Sequence, residues 1–348
     1  MSYAEVDVSE QQDGPVRPGV RHLEVPESQD GQRLDNFLQR ALTEVPRSRI
    51  YRIIRKGEVR VNGGRASPQT RLHTRDTIRV PPLQVIPRPD PARPGAEALE
   101  RVRNSIVHQD ERVLVLDKPA GMAVHGGSGI SYGVIEALRA LRPDETLELA
   151  HRLDRDTSGC LIVARNTPTL RILHALLREG GAFEKRYLAL LQGHWNLGKK
   201  RIDVPLRTDI RVSGERTVRA DSSGKVSLSE FRPVQFFGKL ATLVEVALHT
   251  GRTHQIRVHA QYAGHPVAGD EKYGDKAFNT QLKALGLHRM FLHASSVSFQ
   301  WPAGGQFSVN TPLPEDLATL IDRLGDNVKA GRSRRGAGRP RARSAADR

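Results

Sequence analysis

Six prolines fall between Pro81 and Pro94, and no other stretch restricts the fold so sharply. Each proline removes a backbone donor and fixes φ, so a segment this dense sustains neither a helix nor a central strand. It predicts a semi-stiff linker over residues 83–104, with a small body before it and a larger one after it. At 348 residues the chain is long enough for two domains and a sizeable core. Residues 1–20 are polar and rich in Gln, Asp and Gly, which predicts disorder. The last 23 residues, 326–348, hold eight Lys or Arg against two Asp and read as a disordered basic tail.

In the small body, Leu34, Phe37, Leu38, Ala41 and Leu42 fall at helical spacing, which predicts one amphipathic helix with Asp30 as its N-cap. After Pro46, Ile50, Ile53 and Ile54 line a second short helix that ends at Gly57. Its other face carries Arg49, Arg52, Arg55 and Lys56. Val59 and Val61 then lead into an Asn62-Gly63 turn, and Thr77–Val80 alternates again, the marks of a small hairpin. Over residues 32–82 this arrangement resembles an S4 RNA-binding domain, most of all at Gly57-Glu58-Val59-Arg60-Val61-Asn62-Gly63. A basic run is most often a solvated helix face. Four cations with no acid among them favour phosphate contact instead.

Charge points the same way. The formal net charge is +15, and 43 of the 54 basic residues are Arg. Such a chain suits a polyanionic partner, and the planar guanidinium suits phosphates and bases. The single cysteine, Cys160, excludes disulfide frameworks and thiolate metal clusters. No apolar run reaches membrane length and no secretory segment follows Met1, so a soluble, cytoplasmic protein is expected, acting as a monomer without a membrane.

The larger body, residues 105–325, is organised around His151-Arg152-Leu153-Asp154-Arg155-Asp156-Thr157-Ser158-Gly159, which precedes the strand-like run Cys160–Ala164. Polar residues crowded at the mouth of a buried strand mean either chemistry or a turn held by side chains. Alone, a carboxylate between arginines is most simply an ion pair. Other segments supply the context. Val113–Leu116 is a buried-type strand leading into Asp117-Lys118-Pro119-Ala120-Gly121 and then His125. Lys185, Tyr187 and Ala189 share one face of a strand, because side chains two apart point the same way. Ala247-Leu248 runs into His249-Thr250-Gly251-Arg252-Thr253-His254-Gln255-Ile256-Arg257-Val258-His259, where Thr253 is placed to cap a helix. The three histidines lack ligand spacing, a nearby cysteine or an HExxH pattern, so a metal site is rejected.

Together these segments resemble the RluA family of pseudouridine synthases, through its HRLDxxTSG, KPxG, KxY, TGRTHQIRxH, GHPxxGDxxYG and RxFLHA motifs, over roughly residues 113–294. The resemblance implies an α+β catalytic domain around a mixed, largely antiparallel sheet with a central cleft, preceded by the S4-like α/β domain. It implies that Asp154 is the catalytic carboxylate, that Arg252 pairs with it, and that Tyr187 packs on the target uracil. Arg152 is placed to fill the gap left by a flipped base; Lys185 and Arg257 are expected to contact substrate or RNA, as are Arg49, Arg52, Arg55 and Lys56. The partner it implies is bacterial 23S rRNA or a large-subunit precursor. The reaction breaks C1′–N1, turns the base and joins C1′ to C5; nothing is oxidised, so no cofactor is expected. A family member acting on another rRNA or tRNA site is the alternative. A non-catalytic S4-domain assembly factor would have no need of Asp154, Tyr187 and Arg252 together. A hydrolase would need a second close carboxylate or a metal, and neither stands out in the sequence.

Overall fold

The computed structural model describes residues 19–83, 94–127, 130–179, 181–210 and 216–336. They form two compact units that divide between residues 91 and 92. Residues 1–18 and 84–93, where disorder and the densest part of the linker were expected, lie outside the described residues.

The first unit contains strand β1 (Arg21–Glu24), helices α1 (Leu34–Ala41) and α2 (Arg47–Arg55), and strands β2 (Arg60–Val61), β3 (Gly64–Arg65) and β4 (Thr77–Val80). The strands pair antiparallel in the order β1-β4-β2-β3. The unit therefore begins about ten residues before position 32. Leu34, Phe37 and Leu38 of α1 pack with Ile50, Ile53 and Ile54 of α2 against Ile78 and Val80, as the helical and period-two patterns require. Asn62 and Gly63 both have positive φ, 49° and 78°, the geometry of a two-residue hairpin turn matched to strand twist. Asp30 does not cap α1. Arg33 holds the N-cap position without a side-chain bond, and the Asp30 carboxylate accepts the Thr74 N–H at 2.9 Å instead.

The second unit opens with α3 (Ala96–Asn104), so the latter part of the expected linker is helical. Next in the chain are β5 (Ile106–Gln109), β6 (Val113–Lys118), α4 (Val134–Leu141), β7 (Glu148–Leu149), β8 (Ser158–Ala164), α5 (Thr167–Arg178), β9 (Phe183–Gln192) and β10 (Lys200–Asp203). A two-stranded hairpin, β11 (Leu206–Ile210) with β12 (Arg216–Ala220), precedes β13 (Leu228–Phe237) and β14 (Ala241–Leu248). Then come α6 (Gln255–Tyr262), α7 (Lys276–Ala284), β15 (Leu292–Gln300), β16 (Gln306–Asn310) and α8 (Glu315–Gly336). α8 runs ten residues past Asp326, where the basic tail was expected to start; Lys329, Ala330, Arg332, Arg334 and Arg335 are good helix formers and carry the helix through Gly331.

The main sheet runs β10-β13-β14-β9-β15-β8-β6-β5, with β7 on β8 and β16 on β15. Among the described residues its pairings are antiparallel except β8 with β15. β8 is buried along its whole length and β6 over Val113–Leu116, the continuous apolar pattern of strands covered on both faces. The start of the parallel pair is the place in the sheet where the polar loop of residues 151–157 meets β9 and β15.

Candidate active site

Gly159 is the residue that lets β8 start beside β15. Its φ is +108°, and a Cβ there would lie 2.2 Å from the Ala294 carbonyl oxygen, so no side chain fits. Gly159 pairs with Ala294, and Ala294 on its other side pairs with Tyr187 of β9. Asp154, in the loop just before β8, and Tyr187 are thereby brought to the same place in the sheet from segments more than thirty residues apart.

The Asp154 loop is tied down from below. Lys118 is fully buried and donates to the carbonyl oxygens of Pro119, Met122 and Arg155 at 2.8, 2.9 and 3.0 Å. Burial pushes its ammonium down to about 7. Its three donors are all used on backbone, which joins the Lys-Pro turn of β6 to the Asp154 loop. A second anchor lies beside it: Ser158 Oγ lies 3.0 Å from His293 Nδ1 and accepts from Arg289 at 3.1 Å. Arg289 in turn grips Asp316 in the first turn of α8.

Asp154 itself is engaged through one oxygen. Arg257 Nη1 donates to Oδ2 at 3.2 Å, and His254 Nε2 stands 3.9 Å from the same oxygen. Among the described residues no hydrogen bond reaches Oδ1. Arg257 also makes a two-pronged pair with the buried Asp270, Nε to Oδ2 at 2.6 Å and Nη2 to Oδ1 at 2.9 Å. Its guanidinium lies 4.9 Å from the Tyr273 ring centre. Although burial opposes charge on Arg257, its bonds to Asp270 and the charges of both aspartates raise its pKa further above the usual guanidinium value. Asp270 is penalised by burial, but Arg257 and the N–H groups of Tyr273 and Lys272 outweigh that and hold its carboxyl below the ordinary range.

Here the structure corrects the assignment of the arginines. Arg252 does not pair with Asp154: it is exposed, and its Nε donates to the Val226 carbonyl at 3.1 Å. The partner is Arg257, which was expected to touch RNA. The reason is local. Thr253 does not cap α6; His254 takes that position in the left-handed conformation, φ 54° and ψ 22°. Gln255, buried, accepts from Thr250 Oγ1 and the Arg252 N–H at 2.7 and 3.0 Å, folding the loop so that Arg252 faces out and Arg257 faces in.

Asp154, Arg152, Lys185, Tyr187, His254 and Arg257 line a cavity of about 290 Å³, and Arg252 also borders it. That volume is at the small end of ligand clefts. Tyr187 is buried; desolvation first and the Asp154 charge second raise its phenol above the ordinary value. Lys185 is 9 % exposed, and burial lowers its ammonium to about 8. Its Nζ lies against Gly251 on the opposite wall, 3.7 Å from where a Cβ would stand. His151 is held neutral: burial first and the Lys185 charge second push it down to about 3, and its Nε2 accepts the Ile162 N–H at 3.2 Å. Arg152 is exposed. Asp270, Tyr273 and His254 were not given roles from the sequence. Their motifs were visible, but the contacts that give them meaning span the fold. Among the described residues no group of three or more His, Cys, Asp or Glu is placed to hold a metal.

On the first unit, Arg52, Arg55 and Lys56 are exposed, while Arg49 is half-buried with a buried Nε that has no partner among the described residues. The face is also less purely basic than its helix suggests, because Glu58 lies 3.9 Å from Lys56.

A carboxylate held by a buried arginine thus lines a cavity between a tyrosine-bearing strand and a glycine-opened parallel pair. The chain belongs to the RNA pseudouridylate synthase family, whose pattern matches residues 112–262; the S4 domain pattern matches residues 32–78. It is 48% identical over 312 residues to a ribosomal large subunit pseudouridine synthase C of Pasteurella multocida, covering 89% of this chain and 95% of that one. With the enzyme of the same name from Escherichia coli it shares 47% identity, over 88% of this chain and 97% of the relative. Among solved structures, human RNA pseudouridylate synthase domain containing 4 superimposes with a TM-score of 0.54 at 25% identity, covering 65% of this chain and 95% of that one. This chain is thus an RNA pseudouridine synthase with an S4 domain.

Proposed function

We propose that the chain isomerises specific uridines of bacterial 23S rRNA, as free RNA or in a large-subunit precursor, acting as a cytoplasmic monomer with Asp154 as the reacting carboxylate. One observation carries the residue assignment: Asp154 lines the cavity with Oδ2 taken by Arg257, while Oδ1 accepts no hydrogen bond among the described residues. A carboxylate fixed through one oxygen presents the other in a single direction, which suits attack on C1′ or removal of a ribose proton. The identity of the relatives supports the rRNA target.

In this reading a uridine is flipped from its helix into the cavity, at a cost of a few kcal/mol. Arg152, exposed beside the cleft, occupies the vacated space. Asp154 engages the ribose as C1′–N1 breaks; the base turns, C5 joins C1′, N1 takes up a proton, and in exchange the C5 proton passes to solvent. Tyr187, kept protonated by burial and by Asp154, packs on the base and relays that proton through its hydroxyl rather than acting as a phenolate. Lys185 offers the base or its phosphate a donor-only cation.

The test is tritium release from C5-labelled uridine in 23S rRNA transcripts. Asp154→Asn, isosteric but neutral, is expected to lose activity by about a hundredfold or more while RNA affinity is kept. Activity within tenfold of the unaltered protein rules the assignment out. Mapping of pseudouridine in cells lacking the gene identifies the target positions; intact 23S rRNA modification there would exclude the rRNA assignment.

A further inference from the structure

We propose that His254 is a positioning residue for the reaction, a neutral imidazole whose Nε2–H is aimed at Asp154 Oδ2 by a hydrogen-bonded chain that starts on the β11–β12 hairpin. This rests on the reading of Asp154 as the reacting group.

The chain of contacts favours one nitrogen as the bearer of the proton. The Val218 N–H of β12 donates to the Tyr273 hydroxyl oxygen at 3.0 Å. That oxygen lies 2.8 Å from His254 Nδ1. A backbone N–H can only donate, so the phenol accepts from Val218 and is left with its own proton to give. His254 Nδ1 is the acceptor in reach, which places the imidazole proton on Nε2. Nε2 faces Asp154 Oδ2 at 3.9 Å, the oxygen that Arg257 already holds. On this proposal the approach shortens to a hydrogen bond when substrate fills the cavity, while Oδ1, which accepts no hydrogen bond among the described residues, is left for the ribose.

Two further observations support a built arrangement. Helix N-caps ordinarily have extended backbone, yet His254 opens α6 in the left-handed region, a conformation that costs about 1 kcal/mol or more. That bend turns the ring from the helix axis toward Asp154. The hairpin end of the chain is packed as well: Leu206, Val218, Val258 and Tyr273 form one buried apolar cluster. His254 is kept neutral chiefly by burial; Arg257 and Lys272 oppose its charging, while Asp154 and Asp270 favour it, and the net direction is downward.

The test uses the full-length protein. Nitrogen-15 NMR of histidine-labelled protein at neutral pH is expected to show His254 as the Nε2-protonated tautomer, assigned by loss of its signals in His254→Gln. Single-turnover rates on rRNA transcript are expected to fall about tenfold or more in His254→Ala with RNA affinity unchanged, and to recover in His254→Gln, whose amide can donate from the same place. Tyr273→Phe, which removes the bond that stabilises the neutral ring, is expected to move the acid limb of the rate profile to higher pH. An Nδ1-protonated or charged ring in the unaltered protein overturns the proposal. So does an unchanged rate in His254→Ala. Equal losses in the Ala and Gln variants that track thermal stability, with no change of pH profile in Tyr273→Phe, show a merely structural residue and also overturn it. The tautomer is read without turnover, so failure here is distinguishable from failure of the Asp154 assignment.

Discussion

Arg257→Gln separates the two arginines of the Thr250–Arg257 segment. Asp270 has no exposed side-chain surface, and Arg257 and Asp154 retain only 11% and 18% of theirs. Removing the guanidinium leaves Asp270 with the backbone N–H groups of Lys272 and Tyr273 and takes away its ion pair with Arg257. Stranding one member of a buried pair costs about 3–5 kcal/mol. By contrast, Arg252→Gln removes one bond, to the Val226 carbonyl, from an exposed side chain; its loss is about 0.5–1.5 kcal/mol, toward the lower figure because water replaces the partner. Urea unfolding should therefore rank Arg257→Gln well below Arg252→Gln in stability. Tritium release should fall about a hundredfold or more for Arg257→Gln, the scale of losing one preorganised donor in a water-poor site, and stay near the starting value for Arg252→Gln at saturating RNA. Pairing Arg257→Gln with Asp270→Asn removes the stranded charge. That double variant should regain much of the stability and none of the activity, which distinguishes loss of chemistry from loss of fold. If Arg252→Gln abolishes turnover while Arg257→Gln keeps it within tenfold, the structural assignment is wrong and the pairing expected from the sequence is right.

Tyr187→Phe keeps the ring and loses the hydroxyl, so it should slow turnover by about tenfold or more with RNA binding intact; an unchanged rate would show that the residue only packs. His151 and His293 have folded-state values of about 3 and about 4, below the ordinary value of about 6.5. The unfolded chain therefore binds protons that the folded one refuses. Their contribution is complete above about pH 7 and is lost as pH falls through 6.5 toward 4. Urea midpoints should drop over that range, and His293→Gln should flatten the dependence; an equal slope in the variant would contradict it. Changing Arg52, Arg55 and Lys56 together to Gln should weaken rRNA binding and reduce the salt slope by roughly 0.7–0.9 for each phosphate no longer neutralised. Removing residues 326–348 is the comparison: if that truncation alone abolishes the salt dependence, the S4 face is not the main grip.

What could be read from the sequence was periodic or local. The alternation Lys185-Tyr187-Ala189 places three side chains on one face whatever the strand pairs with, and β9 buries all three. The short, unbroken apolar run after Gly159 has the pattern of a covered strand, and it lies inside the sheet as β8. The Asn62-Gly63 turn needs positive φ at both positions, and so declares itself. Strand order does not. Nothing in β8 or β15 alone says that they pair parallel, or that Gly159 must lack a side chain because of a carbonyl 135 residues away.

The arginines show why the site was only half legible. Arg252 and Arg257 sit in the same run, equally charged, and a capped helix starting at Thr253 gives no reason to prefer either. The decision is made by partners distant in sequence. Asp270 lies 13 residues beyond Arg257, and Asp154 lies 103 before it. A buried carboxylate must be neutralised by a cation that can also be buried, so once Asp270 folds under α6 the cation must come from that helix's inner face. Arg257 is on it; Arg252, before the left-handed turn at His254, is not. The carboxylate that looks least catalytic, sealed from solvent and bonded to backbone, thus selects the arginine that holds Asp154. Asp270→Asn should accordingly release Arg257 from one of its two anchors and slow turnover even though Asp270 never meets substrate. If Asp270→Asn left the rate unaltered, Asp154 would be oriented by Arg257 without help from beneath.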